Sequence, residues 1–492
     1  MSKVFYDLCI IGGGINGVGI AREAAGRGYS VLLLEKNDLA SGTSSTSTKL
    51  AHGGLRYLEY GAFRLVHESL HERATILHIA PHISRPLRFV LPHDPKMRPA
   101  FMLRAGLLMY DFLAGRRNLR SSETVCLKQH PFGLPLVHPN GVGFTYSDGW
   151  VDDARLVVLN AMDAAQRGAD IRTREGCRKL ARHDGAWQID TDTGATYHAR
   201  MVINAAGPWV RDLLDANHLA TPKTPNVRLV RGSHIITRRL YYGDQAYILQ
   251  QADKRIVFAI PYEGRYTLIG TTEEVHHGAP ETSHMSEAEK TYLLDVASRT
   301  FEHKPTEQDI VGTYSGVRPL IEDGAKTATS ATRDYKLLLD AVDAPLLSVF
   351  GGKLTTYRAL AEHALRIVDK SFKRETKRFS DLALLPGGDL PDGSVQNLTQ
   401  QLNSRYPRLP MIMLQRYART YGTLSYKILG DAEKIEDLGK QFAPDLYECE
   451  VQYLQKHEFA KTAEDILWRR TKLGLGAHAD AATALNAYLG SS

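Results

Sequence analysis

The chain has 492 residues and a mass of 54.7 kDa, more than one hydrophobic core accommodates, so two or three domains are expected. Hydrophobic residues make up 43% and charged residues 24%, the mix of a soluble globular protein, which excludes a disordered, collagenous or coiled-coil chain. Lys plus Arg number 61 against 55 Asp plus Glu, and this mild excess of +6 suits an anionic substrate, an anionic cofactor or an acidic lipid surface, not a nucleic-acid footprint.

Residues 4–11 (VFYDLCII) predict a buried strand, with Cys9 as a small hydrophobe inside it. The other cysteines, Cys126, Cys177 and Cys449, form no CxxC, so a disulfide scaffold or cysteine zinc site is disfavoured and a reducing compartment favoured. Asp7 interrupts the apolar stretch, so no signal peptide is expected. Nowhere is there a run of about 18 apolar residues, and no membrane span is predicted.

Residues 15–28 read as a helix and 29–36 (YSVLLLEK) as a second buried strand, together a βαβ unit. Between strand and helix stands Gly12-Gly13-Gly14-Ile15-Asn16-Gly17, a GxGxxG. Gly12 permits the tight turn, Gly14 lets backbone approach a pyrophosphate, and Gly17 lets the helix pack on the sheet. The helix N-terminus then offers its free N–H groups to the anion. Glu35 lies at the spacing of a ribose-binding carboxylate and disfavours a 2′-phosphate, hence NADP.

The loop 41–49 (SGTSSTSTK) reads either as a solvated linker, which composition favours, or as hydroxyls lining pyrophosphate and flavin. Residues 102–117 (MLRAGLLMYDFLAGRR) join an apolar helical face to Arg104, Arg116 and Arg117; an interfacial helix and a core helix with basic caps are both open. Residues 153–167 are helical by spacing, 186–207 form a hairpin feeding a buried strand, and 227–270 suggest an antiparallel sheet.

Strand–glycine junctions return at 201–210 (MVINAAGPWV) and at 348–358 (SVFGGKLTTYR). These late returns, with a fingerprint near the N-terminus, favour FAD over NAD and a cofactor domain assembled from discontinuous segments. At Gly351-Gly352-Lys353-Leu354-Thr355, a helix N-terminus and a lysine suit the flavin's pyrimidine edge, where positive potential stabilises reduced flavin. Residues 385–394 (LPGGDLPDGS) are the expected linker, and 395–490 a separate helical domain.

The ordered set IIGGGINGVGIAREAAGRG, TSSTSTKLAHGGLRYLE, FTYSDGWVDDARL, INAAGPWV, GSHII, QAYILQ, IGTT, TYSGVRPL, TRDY and VFGGKLTTYR resembles FAD-dependent glycerol-3-phosphate dehydrogenase. The likeness runs through residues 5–370 and continues more loosely into ARTYG (418–422) and DILWRRTKLG (465–474). It implies a mixed α/β fold with three parts. A Rossmann-like FAD domain of the D-amino-acid-oxidase-like class spans 1–75, 145–215 and 310–375. An antiparallel-sheet substrate domain spans 76–144 and 216–309, and an all-helical domain spans 385–492. It also implies oxidation of sn-glycerol 3-phosphate to dihydroxyacetone phosphate, with FAD taking the hydride and passing electrons to quinone. The implied setting is a bacterial peripheral protein on the cytoplasmic face of the inner membrane, with a homodimer as a candidate assembly. No D-x-[DN]-x-[DN]-G loop occurs, so calcium control is not expected.

The resemblance assigns residues too. Arg318 would hold the reacting C2 oxygen, and His234 would accept its proton, the choice of formal base between them staying open. Lys353, Arg56, Tyr57 and Arg333 would bind phosphate and substrate, with Thr272 as a hydrogen-bond partner. The expected cofactor contacts are Gly12, Gly14, Asn16, Gly17, Glu35, Lys36, Ser44, Ser45, Ala206, Gly207, Gly352, Leu354 and Thr355. The rival readings are a soluble oxidase of the same fold making peroxide, a flavin-binding protein without turnover, and NAD-dependent chemistry.

Overall fold

The computed structural model describes residues 5–115, 119–139, 141–253, 255–322 and 334–490, with the backbone alone for Arg56 and Tyr60. Two large sheets organise these residues. The first runs in the order Tyr335–Asp340, Leu346–Gly351, Thr196–Asn204, Phe5–Ile11 (β1), Val31–Glu35 (β2) and Asp170–Thr173. A hairpin, Cys177–His183 with Ala186–Thr191, adds to the Thr196–Asn204 strand. β1 pairs in parallel with β2 (Leu8↔Val31) and with Thr196–Asn204 (Leu8↔Met201). Such strands are covered on both faces, which is why LCII and VLLL are continuous apolar runs.

Helix Ile15–Gly26 (α1) packs beside the helices Asp153–Gln166 and Tyr357–Phe372. Neither α1 nor Asp153–Gln166 presents a polar stripe to water: Ala21, Ala24, Leu156 and Leu159 are all fully buried. The cover comes from the C-terminal region. Its helices Val395–Arg405, Met411–Tyr421 and Glu448–His457 contribute Leu398, Tyr417, Tyr421 and Leu454 to the same hydrophobic cluster as α1 and β1. The expected helical domain is there, with a short ladder, Gln441–Ala443 against Leu446–Tyr447, inside it.

Buried ion pairs cross that junction. Asp38 Oδ2 takes Arg469 Nε and Arg470 Nη1, each at 2.6 Å, and Arg155 pairs with Glu458. Lys472 Nζ reaches Asp152 Oδ1 at 3.0 Å. The segment 385–394 is no loose linker: Leu385 N donates to Ile79 O at 2.8 Å and Thr423 N to Gly387 O at 3.2 Å. Its glycines serve close backbone approach, a use that composition alone does not separate from flexibility.

The second sheet has ten strands and is almost wholly antiparallel, with Val227–Arg238 flanked by Tyr266–Gly270 and Ile310–Ile321. Val142–Val151 also belongs to it, paired with Ser84–Pro92. Two expected boundaries therefore shift, since 145–151 and 310–321 lie in this sheet and not in the nucleotide-binding one.

Helix Ala100–Ala114 lies against the second sheet with Leu107 and Tyr110 buried. Its outer face exposes Phe101, Met102, Leu108, Met109 and Phe112. That excludes the core-helix reading. Arg116 and Arg117 lie outside the described residues, and Arg104 donates to Ser122 O and Oγ. Among the described residues no helix is long and apolar enough to cross a membrane.

Candidate active site

A cavity of about 1260 Å³ runs between the two sheets. It exceeds the roughly 300–1,000 Å³ of ordinary ligand pockets, as a dinucleotide with a substrate beside it requires. One end is the fingerprint. Gly12 has φ +115°, and a Cβ on it would stand 2.5 Å from Ala205 O. At Gly17 a Cβ would meet Gly12 O at 1.9 Å, so this glycine serves helix packing and is not on the cavity wall. Gly12, Gly14, Asn16, Glu35, Lys36 and Ser44 all line the cavity, as do Ala206, Gly207, Gly352, Leu354 and Thr355.

The polar groups here are prepared for a ligand. Glu35 accepts from the amides of Gly13 and Asn37, each at 2.7 Å, and burial pushes its carboxyl above the usual carboxylate range. Ser44 Oγ takes the Ile15 N–H at 2.9 Å, so the Ser/Thr loop caps α1 instead of forming a solvated linker. Asn16 donates to Gly351 O, while its buried Oδ1 has no hydrogen bond among the described residues. Ser45 does not line the cavity, and its carbonyl is taken by Lys49 Nζ at 2.6 Å.

The other end gathers the catalytic candidates. Arg318, on the strand Ile310–Ile321, donates from Nη2 to Thr271 Oγ1 at 3.1 Å. Lys353 Nζ lies 3.9 Å from the centre of the Tyr57 ring. All four line the cavity, together with His52 and Thr48. The cationic pair makes this end a site for an anion.

His234 is not on the wall. It is 0% exposed, stacked on Tyr314 at 4.8 Å between centroids, and its Nε2 lies 3.0 Å from Thr48 Oγ1. Burial, with Arg318 and Lys49 adding to it, holds its pKa well below the ordinary histidine value. Thr272 is also behind the wall: its hydroxyl accepts from Ser233 N at 2.9 Å and donates to Glu289 Oε1 at 2.6 Å. The Arg56 side chain and Arg333 lie outside the described residues.

His52 is the residue that sequence reasoning passed over, though it opens the HGGLRYL motif. Its amide donates to Thr355 Oγ1 at 3.2 Å, and the next amide, Gly53 N, donates to Tyr110 Oη at 2.8 Å. Burial lowers its pKa; Lys353, Arg73 and Arg318 add to that and Asp148 opposes it. The imidazole is therefore neutral near pH 7 and able to take a proton.

The donor set fits FAD: a helix N-terminus with close backbone, a ribose-range carboxylate and a glycine–lysine turn on the same cavity. Comparison with known proteins agrees. Residues 7–358 match the family described as FAD dependent oxidoreductase, and 380–489 match the C-terminal domain of alpha-glycerophosphate oxidase. The chain is 48% identical over 472 residues to D-erythritol 1-phosphate dehydrogenase of Brucella abortus, covering 95% of this chain and 94% of that one. It is 49% identical over 476 residues to glycerol-3-phosphate dehydrogenase of Pseudomonas aeruginosa, covering 96% and 92%. Among solved structures, the FAD complex of glycerol-3-phosphate dehydrogenase from Bacillus halodurans superposes with a TM-score of 0.75 at 26% identity, covering 100% and 95%.

Proposed function

Because the chain belongs to the FAD dependent oxidoreductase family, we propose that it oxidises the C2 alcohol of sn-glycerol 3-phosphate to dihydroxyacetone phosphate and delivers the electrons to a membrane quinone. The observation that carries the reading is the convergence of Arg318, Lys353 and His52 on the same cavity that Gly12 and Glu35 line.

FAD, when bound, supplies the two-electron acceptor. The protein's own groups do the rest. Lys353, with Arg56 from the family motif, would bind the phosphate dianion. Arg318 stays protonated, so it stabilises the alkoxide that develops at C2 and then holds the ketone oxygen. His52, kept neutral by burial and by the neighbouring cations, accepts the hydroxyl proton. His234 works one shell back, fixing Thr48.

The quinone and membrane part rests on the helix Ala100–Ala114. The cavity reaches Met102, Leu103 and Met109 on this helix, next to Phe63 and Leu91, so an apolar arm runs from the reacting end to an apolar surface. An interfacial helix on the cytoplasmic leaflet would give a quinone that approach. This arm also favours quinone over the soluble peroxide-forming alternative.

The Brucella relative favours one second reading, a four-carbon polyol phosphate, D-erythritol 1-phosphate, oxidised by the same groups. Holoenzyme mixed anaerobically with each substrate separates them. Rapid bleaching of the flavin band by glycerol 3-phosphate, with reoxidation by a soluble quinone and little peroxide in air, is expected. Bleaching by the erythritol ester alone overturns the substrate, and stoichiometric peroxide with no quinone turnover overturns the acceptor.

A further inference from the structure

Around Glu35, the ribose end of the cavity, the wall comes from 35–37, 176–178 and 206–217, all in the nucleotide half. One piece does not. Pro280, Glu281 and Ser283 belong to the connection from Glu274–Val275 to the helix Glu287–Thr300, in the chain of the second sheet. Glu281 Oε1 accepts from Lys36 Nζ and from Trp209 Nε1, each at 2.7 Å. Lys36 Nζ also stands 4.1 Å from the centre of the Trp209 ring, so ammonium, indole and carboxylate close on one another.

The turn that carries Glu281 is stiff in itself. Thr282 donates from its amide (3.0 Å) and its hydroxyl (2.8 Å) to Ala279 O, and His276 Nε2 lies 2.9 Å from the same oxygen. It meets the nucleotide half here as a preformed finger.

We propose that Glu281, Lys36 and Trp209 form a clasp that retains FAD, a carboxylate of the substrate domain closing over the adenosine end of a site otherwise built by the nucleotide domain. FAD loads and leaves when the clasp opens. An exposed ion pair contributes little alone. Here one carboxylate collects a cation and an indole N–H across a domain boundary, so its loss acts on release.

The test is the rate of flavin release from holoenzyme, followed by the recovery of flavin fluorescence, alongside thermal melting with and without FAD. Glu281→Gln should release flavin about threefold faster and Glu281→Ala about tenfold faster. Trp209→Phe, which keeps the ring and loses the N–H, should match Glu281→Gln. Lys290→Gln, which breaks a surface pair with Glu287 (2.6 Å) on the following helix, should leave release unchanged. Raising salt from roughly 0.05 to roughly 0.5 M should speed release from the native protein and barely affect Glu281→Ala. Unchanged release from Glu281→Ala overturns the clasp. So does an equal loss of melting temperature in the FAD-bound and FAD-free forms at an unchanged release rate, which would make Glu281 a plain tie between domains.

Discussion

Thr48 Oγ1 lies 3.0 Å from His234 Nε2 and stands on the cavity wall, so the buried imidazole meets the site through a hydroxyl. His52 meets it directly. The two histidines should therefore respond differently. His52→Gln should lower the rate of flavin reduction by about 10²–10⁴-fold, the range for loss of a general base. It should also remove the acid limb of the pH–rate profile, which in the native protein falls below the ordinary histidine value of about 6.5. His234→Gln should cost less than about tenfold and keep the limb. Single-turnover reduction between about pH 5 and 8 checks both.

Arg318→Lys keeps a charge but loses the fork that bonds Thr271. The expected loss in kcat is about 10²–10³-fold, as for removal of one oxyanion donor, with KM nearly unchanged. A rise in KM at constant kcat would mean that Arg318 binds phosphate instead.

Stability should fall in acid. His82 sits between the nucleotide half and the C-terminal region with neither ring nitrogen hydrogen-bonded among the described residues. Burial, helped by Arg155, pushes its pKa down to about 3. Unfolded, it titrates near 6.5, so between these values the unfolded chain binds a proton that the folded one refuses. The contribution is complete above about 6.5 and drains at up to about 1.4 kcal/mol per pH unit as pH drops toward 3. His52 and His234, also lowered, act with the same sign. Denaturant midpoints at stepped pH should show a slope that His82→Gln reduces.

Phe101 and Phe112 are 77% and 83% exposed on the helix Ala100–Ala114. Replacing each with Ser should weaken binding to anionic vesicles by about tenfold or more, since each removes on the order of 1.5–3 kcal/mol of apolar burial. Melting temperature should hold. Leu382→Ser, an exposed site at 75% at the start of the C-terminal region, serves as the control.

What was legible in the sequence was local. Gly12, Gly14, Glu35 and the turn at Gly352–Thr355 are set by short-range backbone demands, and each lines the cavity. The strand bearing His234 was also read well, and Gly232, on the same face, abuts Arg318. What hides the imidazole is Thr48, 186 residues earlier, and no periodicity reports a cover from so far away. The sheet membership of 145–151 and 310–321 escaped for a related reason, since partner choice is decided by strands distant in the chain. Glu281 had no signal at all, an acid in a polar turn until Lys36 and Trp209 are seen beside it.

The junction of the nucleotide half with the last hundred residues bears on inheritance. Asp38, three residues beyond Glu35 in the loop that follows β2, has both its oxygens committed to Arg469 and Arg470. A chimera of two relatives joined near residue 380, where the second family match begins, keeps this loop braced only if donor and recipient agree at those three positions. Shuffling can exchange the surface of the last segment freely. It cannot treat that segment as a detachable module, because its arginines and the loop's aspartate have to be passed on together.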